Sequence, residues 1–474
     1  VKKIIRYIVL ACLILPAIAL LAFGPRGRHE PPPGFVHISY WDKWSGMAAW
    51  AMQGAVDDFN NTVGKDKHIV VEYVSMPEVN RKTLISTAGG VPPEIAGLWD
   101  MQVAQFSAMG ALEPLDKLAA EYGIKHSDYK RLIWEMCSYR GGLYAIPNAP
   151  ASVALVYNKL IFLKNGDKLR AAGLDPLKPP ATIDELDRYN EVLTVRDSRG
   201  RITSAGYLPI DSWYVNMLPC WFGGELWDAS TGKFLLTSDP SIRAYEWLQG
   251  YAKRWGAGSI TEFRQAFGSY SSTQNPFLAR KVAMVQQGCW HATNAFRFNI
   301  DMNQVLMPAS LEFFLPRVVR PFNYEWAAAA FPSSNPAIHD ASHVEADVLA
   351  IPRGAKHKRE AFEFLAYLQR QDVMEKFCTA GCAPSPLKQV SDCFLRNHPN
   401  PYVDVWEMLQ ASPHGQSVPP IEIYAEFSSE LTVMIQRMYL LQGDARDELA
   451  QTQKRMEEKY ARYLEENPLD EMKP

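Results

Sequence analysis

FVHISYWDKWSGMAAWAMQGAVDDFNNTVGKDKHIVVEYV, Phe35–Val74, sets the architecture of the chain. Its opening Phe35–Trp41 alternates apolar and polar residues with β-branched members, as a strand does. Ser45 is then placed to cap a helix on which Met47, Ala51, Ala55 and Phe59 recur every four residues. His68–Val74 reads as a second strand. Working outward, Pro77–Ser86 reads as a helix and Pro93–Trp99 as a third strand. Strands and helices that alternate in this way predict an α/β lobe with a largely parallel sheet.

At 474 residues the chain exceeds what one core holds, so two or three domains are expected. Hydrophobic residues at 47% and charged residues at 21% describe a globular protein. A net charge of -3 leaves no basic footprint for nucleic acid. Beyond the first lobe, the turns of Pro176–Pro180 lead into a helix over Ile183–Val195, and Arg196–Arg201 is a polar turn. A helix over Asp239–Trp255 and a buried strand over Phe277–Gln286 follow. Asp347–Ile351 is a short strand, and the next helix buries Ala361, Phe364, Leu365 and Leu368. From Glu422 to Glu466 the pattern is almost all helix, and packing on its own domain is expected.

The N-terminus has the layout of a secretory signal. Lys2, Lys3 and Arg6 precede an apolar run, Ile8–Phe23, shorter than the roughly 20 residues a spanning helix prefers. Residues 1–24 therefore read as a signal peptide or N-terminal anchor, and 25–34 as a Pro/Gly tether. An exported protein is expected, periplasmic or tethered to the outer face of the cytoplasmic membrane. Cys12 does not suit lipidation, because Leu10 stands where a small residue is needed. The remaining six cysteines permit accessory disulfides, with Cys378, Cys382 and Cys393 the nearest in sequence. Cys378, Cys382, Cys393 and His398 are too loosely spaced for a zinc site, so no metal or cofactor is expected.

In an open parallel sheet, ligands sit beyond the carboxyl ends of the strands. Trp41-Asp42 and Trp99-Asp100 both stand there. An aromatic face stacks on the C–H patches of a sugar ring, and an adjacent carboxylate accepts from its hydroxyls. The plainer alternative puts both tryptophans in the core and both acids at helix caps.

Six ordered blocks carry a family resemblance. They are SYWDKWSG with DDFN (Ser39–Asn60), PPEIAGLWDMQVAQFSAMGALEPLD (Pro92–Asp116), YRGGLYAIPNAPASVALVYNK (Tyr139–Lys159), PPATIDEL (Pro179–Leu186), FLARKVAMVQQGCW (Phe277–Trp290) and DVLAIPRGAKHKREAFEFLAYL (Asp347–Leu368). Together they resemble the extracellular solute-binding proteins of carbohydrate ABC importers, the maltose-binding-protein-like group. The resemblance implies a two-lobed, type II-like periplasmic-binding-protein fold with a ligand cleft between the lobes and a helical C-terminus. It divides the chain into an N-terminal lobe, 35–150 plus about 341–390, and a C-terminal lobe, 151–340 plus about 391–474. It implies a sugar or oligosaccharide ligand, ABC-transporter permease subunits as partners, and a monomer that closes on its ligand. Trp290 then stands where relatives place a stacking aromatic, with Asn294 beside it. Trp213, Asn148 at the hinge, Tyr424 at the start of the C-terminal helix and, more weakly, Glu345 complete the candidate ligand contacts. Arg280, where relatives have Gly, and Ala151, where they often carry a polar contact, are departures.

No catalytic residue is expected. The chain lacks G-x-S-x-G, H-E-x-x-H, a P-loop and G-x-G-x-x-G, and the pairs Asp57-Asp58 and Glu185 with Asp187 lie on helix faces. The rival classes are an exported carbohydrate-active enzyme and a sugar-sensing receptor domain for a signalling partner.

Overall fold

Two separate hydrophobic cores organise the molecule. The computed structural model describes residues 33–209, 212–268, 272, 274–293 and 324–467, without the side chains of Ser212 and Trp213. The signal-like segment and Asn294 lie outside the described residues. One core gathers Ile38, Phe59, Leu98, Ile146, Val348 and Phe364. The other gathers Leu155, Tyr207, Trp221, Tyr245, Trp326 and Phe427.

The first core lies against a sheet in which Val36–Asp42 is parallel to both Ile69–Ser75 and Ile95–Trp99. The expected helix spans Gly46–Asn61 and buries Ala51, Ala55 and Phe59 of the stripe read from the sequence together with Met52 and Val56, while Met47 is half-buried. Ser45 is its N-cap residue, but its side chain makes no capping hydrogen bond. The return strand, Ser342–Ala350, starts earlier than expected and runs antiparallel to Ile95–Trp99 and to Ala145–Ser152.

The second core lies against a five-stranded sheet, in which Ala154–Asn158 stands between Trp326–Ala330 and Val282–Gln287. Thr182 starts the helix Ile183–Leu193: its hydroxyl accepts from Glu185 N–H at 3.2 Å, and Glu185 accepts from Ala181 N–H at 2.7 Å. The Thr182 hydroxyl thus caps the helix, and Glu185 reaches one residue further back than a reciprocal capping box requires. The expected strand Phe277–Gln286 begins only at Val282. Asn275 explains the difference, because its side chain accepts from Phe277 N–H at 2.8 Å and holds the preceding residues in a turn. The turn leaves through Arg280 at φ 57°, a conformation Gly takes freely and Arg does not. Glu325 clamps the Arg280 guanidinium through two contacts of 2.7 Å, which offsets the backbone cost.

Three chain segments join the cores. Val153 continues the strand Ala145–Ser152 into Ala154–Asn158, and its N–H donates to His343 carbonyl oxygen at 2.9 Å. Ser342 Oγ donates to Val153 carbonyl oxygen at 2.9 Å, so two crossings are tied at one level. The third passes through the helix Val403–Ala411, whose Trp406 is fully buried.

The C-terminal helices Tyr424–Tyr439 and Ala445–Glu466 pack on the second core through Phe427, Met434, Leu449 and Met456. Glu430 binds Arg455 at 2.9 Å and Lys459 at 2.7 Å, which fastens one helix to the other. All six described cysteines are free, so the pairing that the spacing of Cys378, Cys382 and Cys393 permits is not formed. Cys378 and Cys382 lie in the interior while Cys393 is exposed on a different helix. Closeness in sequence therefore brings no pairing geometry here. Among the described residues no helix is long and apolar enough to cross a membrane.

Candidate functional site

The two strand ends named from sequence meet at the rim of the first lobe, but their side chains do different things. Asp42 is fully buried. Its carboxylate accepts from the Tyr40 hydroxyl at 2.5 Å and from Lys43 N–H at 2.7 Å. It lies so close to Gly97 that a Cβ there would come within 2.5 Å of the carboxyl carbon. Burial raises its pKa, and Lys43 and Tyr40 pull it back. Asp42 thus serves the interior of the sheet. Trp41, its neighbour on the opposite face of the strand, is half-buried.

Lys43 is the centre of the rim. Its ammonium reaches Asp347 at 2.6 Å, Leu98 carbonyl oxygen at 3.0 Å and Asp42 at 3.7 Å. It also stands 5.0 Å from the centre of the Trp99 ring, a cation–π arrangement. Trp44 donates its indole N–H to Asp347 at 3.0 Å and stacks on Phe377, with centroids 5.6 Å apart. The sequence reading missed Lys43, Trp44 and Asp347. The run DKW directly after the first strand was the available signal; Asp347 had none, being some three hundred residues away.

Behind the rim is a second acidic group. Asp100 is 6% exposed, and burial pushes its pKa up to about 7 against the opposing backbone N–H of Ala346. Its Oδ1 has no hydrogen-bond partner among the described residues. Glu345 faces it from the return strand: burial raises its pKa well above the usual range, and Asp100 and Asp347 add to the rise. Glu345 Oε1 also lacks a hydrogen bond among the described residues; His343 Nε2 stands 3.6 Å away, and burial pushes that imidazole down to about 4. Glu345 pairs in register with Ala151. A carboxylate from the adjoining strand therefore stands beside the position where the resemblance leads one to look for a polar contact.

Tyr424 approaches from the other lobe. Its phenol pKa is raised by burial first and then by Asp100 and Glu345. Asn148 is 1% exposed, with both side-chain polar atoms unpartnered among the described residues, at the bulge opposite the Asp347–Val348 step. Trp99, Asp100, Asn148 and Tyr424 are thus gathered around the crossing strands. Trp290 is placed differently. Its ring lies over Gly288, where a Cβ would come within 2.4 Å, and its indole N–H donates to Gln287 at 3.0 Å. No described contact links Trp290 to Trp41. Asn294 and the side chain of Trp213 lie outside the described residues.

A cavity of ≈ 540 Å³ opens between the lobes. Asp100, Met101, Arg131 and Glu135 line it from the first lobe, Glu225 and Trp227 from the second, and His414 and Pro419 from the crossing segments. That volume suits a small organic ligand. Beside the cavity, Glu422 ties the lobes together, accepting from the Tyr139 hydroxyl and from Arg140 at 2.9 Å on one side and from Tyr460 at 3.2 Å on the other. Arg140→Met is expected to lower unfolding free energy by about 1 kcal/mol, a modest amount because the guanidinium is partly solvated. A urea melt checks this, and an unchanged midpoint would remove the tie from the account.

Comparison with known proteins agrees with this architecture. A curated maltotriose-binding protein from Pyrococcus abyssi is 22% identical over 241 residues, which is 51% of this chain and 47% of that protein. The solved structure of CpMnBP1 with mannobiose bound superposes with a TM-score of 0.70 at 21% identity, covering 88% of this chain and 98% of the other. The sugar-binding protein MalE from the phytopathogen Xanthomonas citri gives 0.69 at 17% identity, covering 91% and 99%. These likenesses show the two-lobed α/β fold. The family model for bacterial extracellular solute-binding proteins matches residues 44–375, most of the chain, and the protein belongs to that family.

Proposed function

We propose that the protein is the extracytoplasmic receptor of an ABC-type importer for a sugar or short oligosaccharide, which it captures between its lobes without chemical change. The observation that carries the reading is the gathering of buried polar atoms with no hydrogen-bond partner among the described residues, on Asp100, Glu345 and Asn148, around the return strand that also pairs with half-buried Trp99. Buried polar groups are normally hydrogen-bonded. A hydroxyl-rich ligand supplies the missing partners, and the indole supplies a stacking face. Relatives that carry sugar-binding names support the choice of ligand. On this reading residues 35–150 and about 341–390 move as one lobe against the rest, and the closed form is what the permease subunits recognise. Export with a cleaved or retained N-terminal segment and a monomeric state belong to the same proposal.

A thermal-shift screen against mono- and oligosaccharides tests it. A sugar present at 100 times its dissociation constant is expected to stabilise the protein by about 2.7 kcal/mol. Stabilisation by a peptide, polyamine or organic anion and by no sugar contradicts the proposal, as does recovery of a cleaved sugar.

The acids also fix a pH dependence for the empty protein. Asp100 and Glu345 are raised in the folded state, so it binds more protons than the unfolded chain between the usual carboxylate range and the raised values. Their contribution to stability is therefore expected to fall as pH rises from 5 to 8, with the share of Asp100 levelling off as pH passes about 7 and the buried neutral His343 opposing the fall only below about 6.5. Melting temperatures measured across that range check the sign; a rise toward pH 8 contradicts it.

A further inference from the structure

The charges around the crossing strands do not balance. Among the described residues, four buried or half-buried carboxyls, Asp42, Asp100, Glu345 and Asp347, share one ammonium, Lys43. Lys43 is committed to Asp347 and Asp42, while the Tyr40 hydroxyl and the Trp44 indole take further oxygens of the same pair. His343, the nearest base to Glu345, is held neutral by burial. Arg131 reaches the cavity wall already paired with Glu135 at 2.8 Å. Tyr424 brings no positive charge. Asp100 and Glu345 are left close enough for Asp100 to raise the pKa of Glu345, each with an oxygen that no group among the described residues satisfies.

A neutral sugar hydroxyl supplies a hydrogen bond to such an oxygen but no charge, so two like carboxyls remain side by side in a desolvated place. A protonated amine supplies both, with three donors on one atom. Asn148, unpartnered among the described residues at both its amide oxygen and nitrogen and buried at the adjoining bulge, adds a neutral acceptor and donor to the same place. We propose that the preferred ligand is a cationic sugar, an amino sugar or an oligosaccharide with one free amine, whose ammonium sits between Asp100 and Glu345. This rests on the sugar-receptor reading above and narrows it to a chemical class.

The test is isothermal calorimetry at pH 7 on the protein. The probes are matched triplets of mono- and disaccharides in α and β linkage, each offered as the free amine, the N-acetylated form and the hydroxyl form. The amine member of the best-bound triplet is expected to bind at least about tenfold more tightly than either partner. In Glu345→Gln, which keeps the shape and removes the charge, that preference is expected to fall below about threefold. Asp100→Asn is the second variant and is expected to do the same, and each variant's melting temperature reports that it folds. A neutral member binding as tightly as the amine, or a preference that survives in both folded variants, overturns the inference and leaves the sugar receptor standing. Failure of every triplet to bind, together with stabilisation by a non-sugar, overturns the receptor reading itself.

Discussion

Lys130→Met is expected to lower the unfolding free energy by about 3 kcal/mol, the lower end of the cost of breaking a buried ion pair. Lys130 is 4% exposed. Its ammonium donates to Ser385 carbonyl oxygen at 2.5 Å, Glu407 at 2.7 Å and Gln410 at 3.0 Å, so all three donors are used. These contacts pin the first lobe to Val403–Ala411, the helix of the third crossing. Burial lowers the Lys130 pKa and Glu407 only partly restores it, so the pair is costly to make and costlier to break. Methionine fills the space but leaves Glu407 charged and without its cation. Adding Glu407→Gln removes that charge and keeps an acceptor for Ser385 N–H, now at 2.7 Å. The double variant is expected to recover at least about half of the loss. Urea melts of the two variants decide it, and a double variant less stable than the single one refutes the explanation.

Lys43→Met is the second large effect, and it reaches ligand and fold together. Removing the ammonium leaves Asp42 and Asp347 without a counter-charge and the Leu98 carbonyl oxygen without its donor. A loss of about 3 kcal/mol in stability is expected at pH 8. Asp42 is already raised by burial, and Lys43 is the largest influence pulling it back. Without Lys43 its carboxyl rises further, so the folded variant takes up a proton more readily than the unfolded chain as pH falls. The deficit relative to the parent protein should therefore shrink from pH 8 toward pH 5. Ligand affinity is expected to drop on the order of 100-fold for neutral sugars, because Lys43 also holds Trp99 in place. A pH-independent deficit would show that Lys43 acts through packing of its stem alone.

Much of the fold was legible because its signals are local. The strand, four-residue stripe and strand of Phe35–Val74 depend on neighbours within one element, and Gly46–Asn61 buries Ala51, Ala55 and Phe59 of the stripe that was read. Thr182 and Glu185 are three residues apart, and both accept from backbone N–H groups at the start of their helix. Errors arose where a long-range or turn contact decided the outcome. Asn275 delays the strand expected from Phe277, and the free cysteines show that spacing does not set Cα geometry. At the site, the strand-end position of Trp99-Asp100 was readable, since topology alone puts it beyond the sheet. The occupation of Asp42 by Tyr40 and Gly97 was not, because it depends on the neighbouring strand. Glu345 received little weight as a single residue. Its meaning comes from standing opposite Ala151 and beside Asp100, which only the register of the return strand reveals. Arg280 was a departure from a habitual Gly, and its φ of 57° with the Glu325 clamp gives that departure a physical form.

The central claim is a two-lobed receptor that closes on a sugar. Small-angle X-ray scattering of the protein, with and without the sugar that most raises its melting temperature, tests this directly. The account predicts a smaller radius of gyration with the sugar bound and the same sugar recovered unaltered. An unchanged radius at saturation, or a cleaved product, would contradict it.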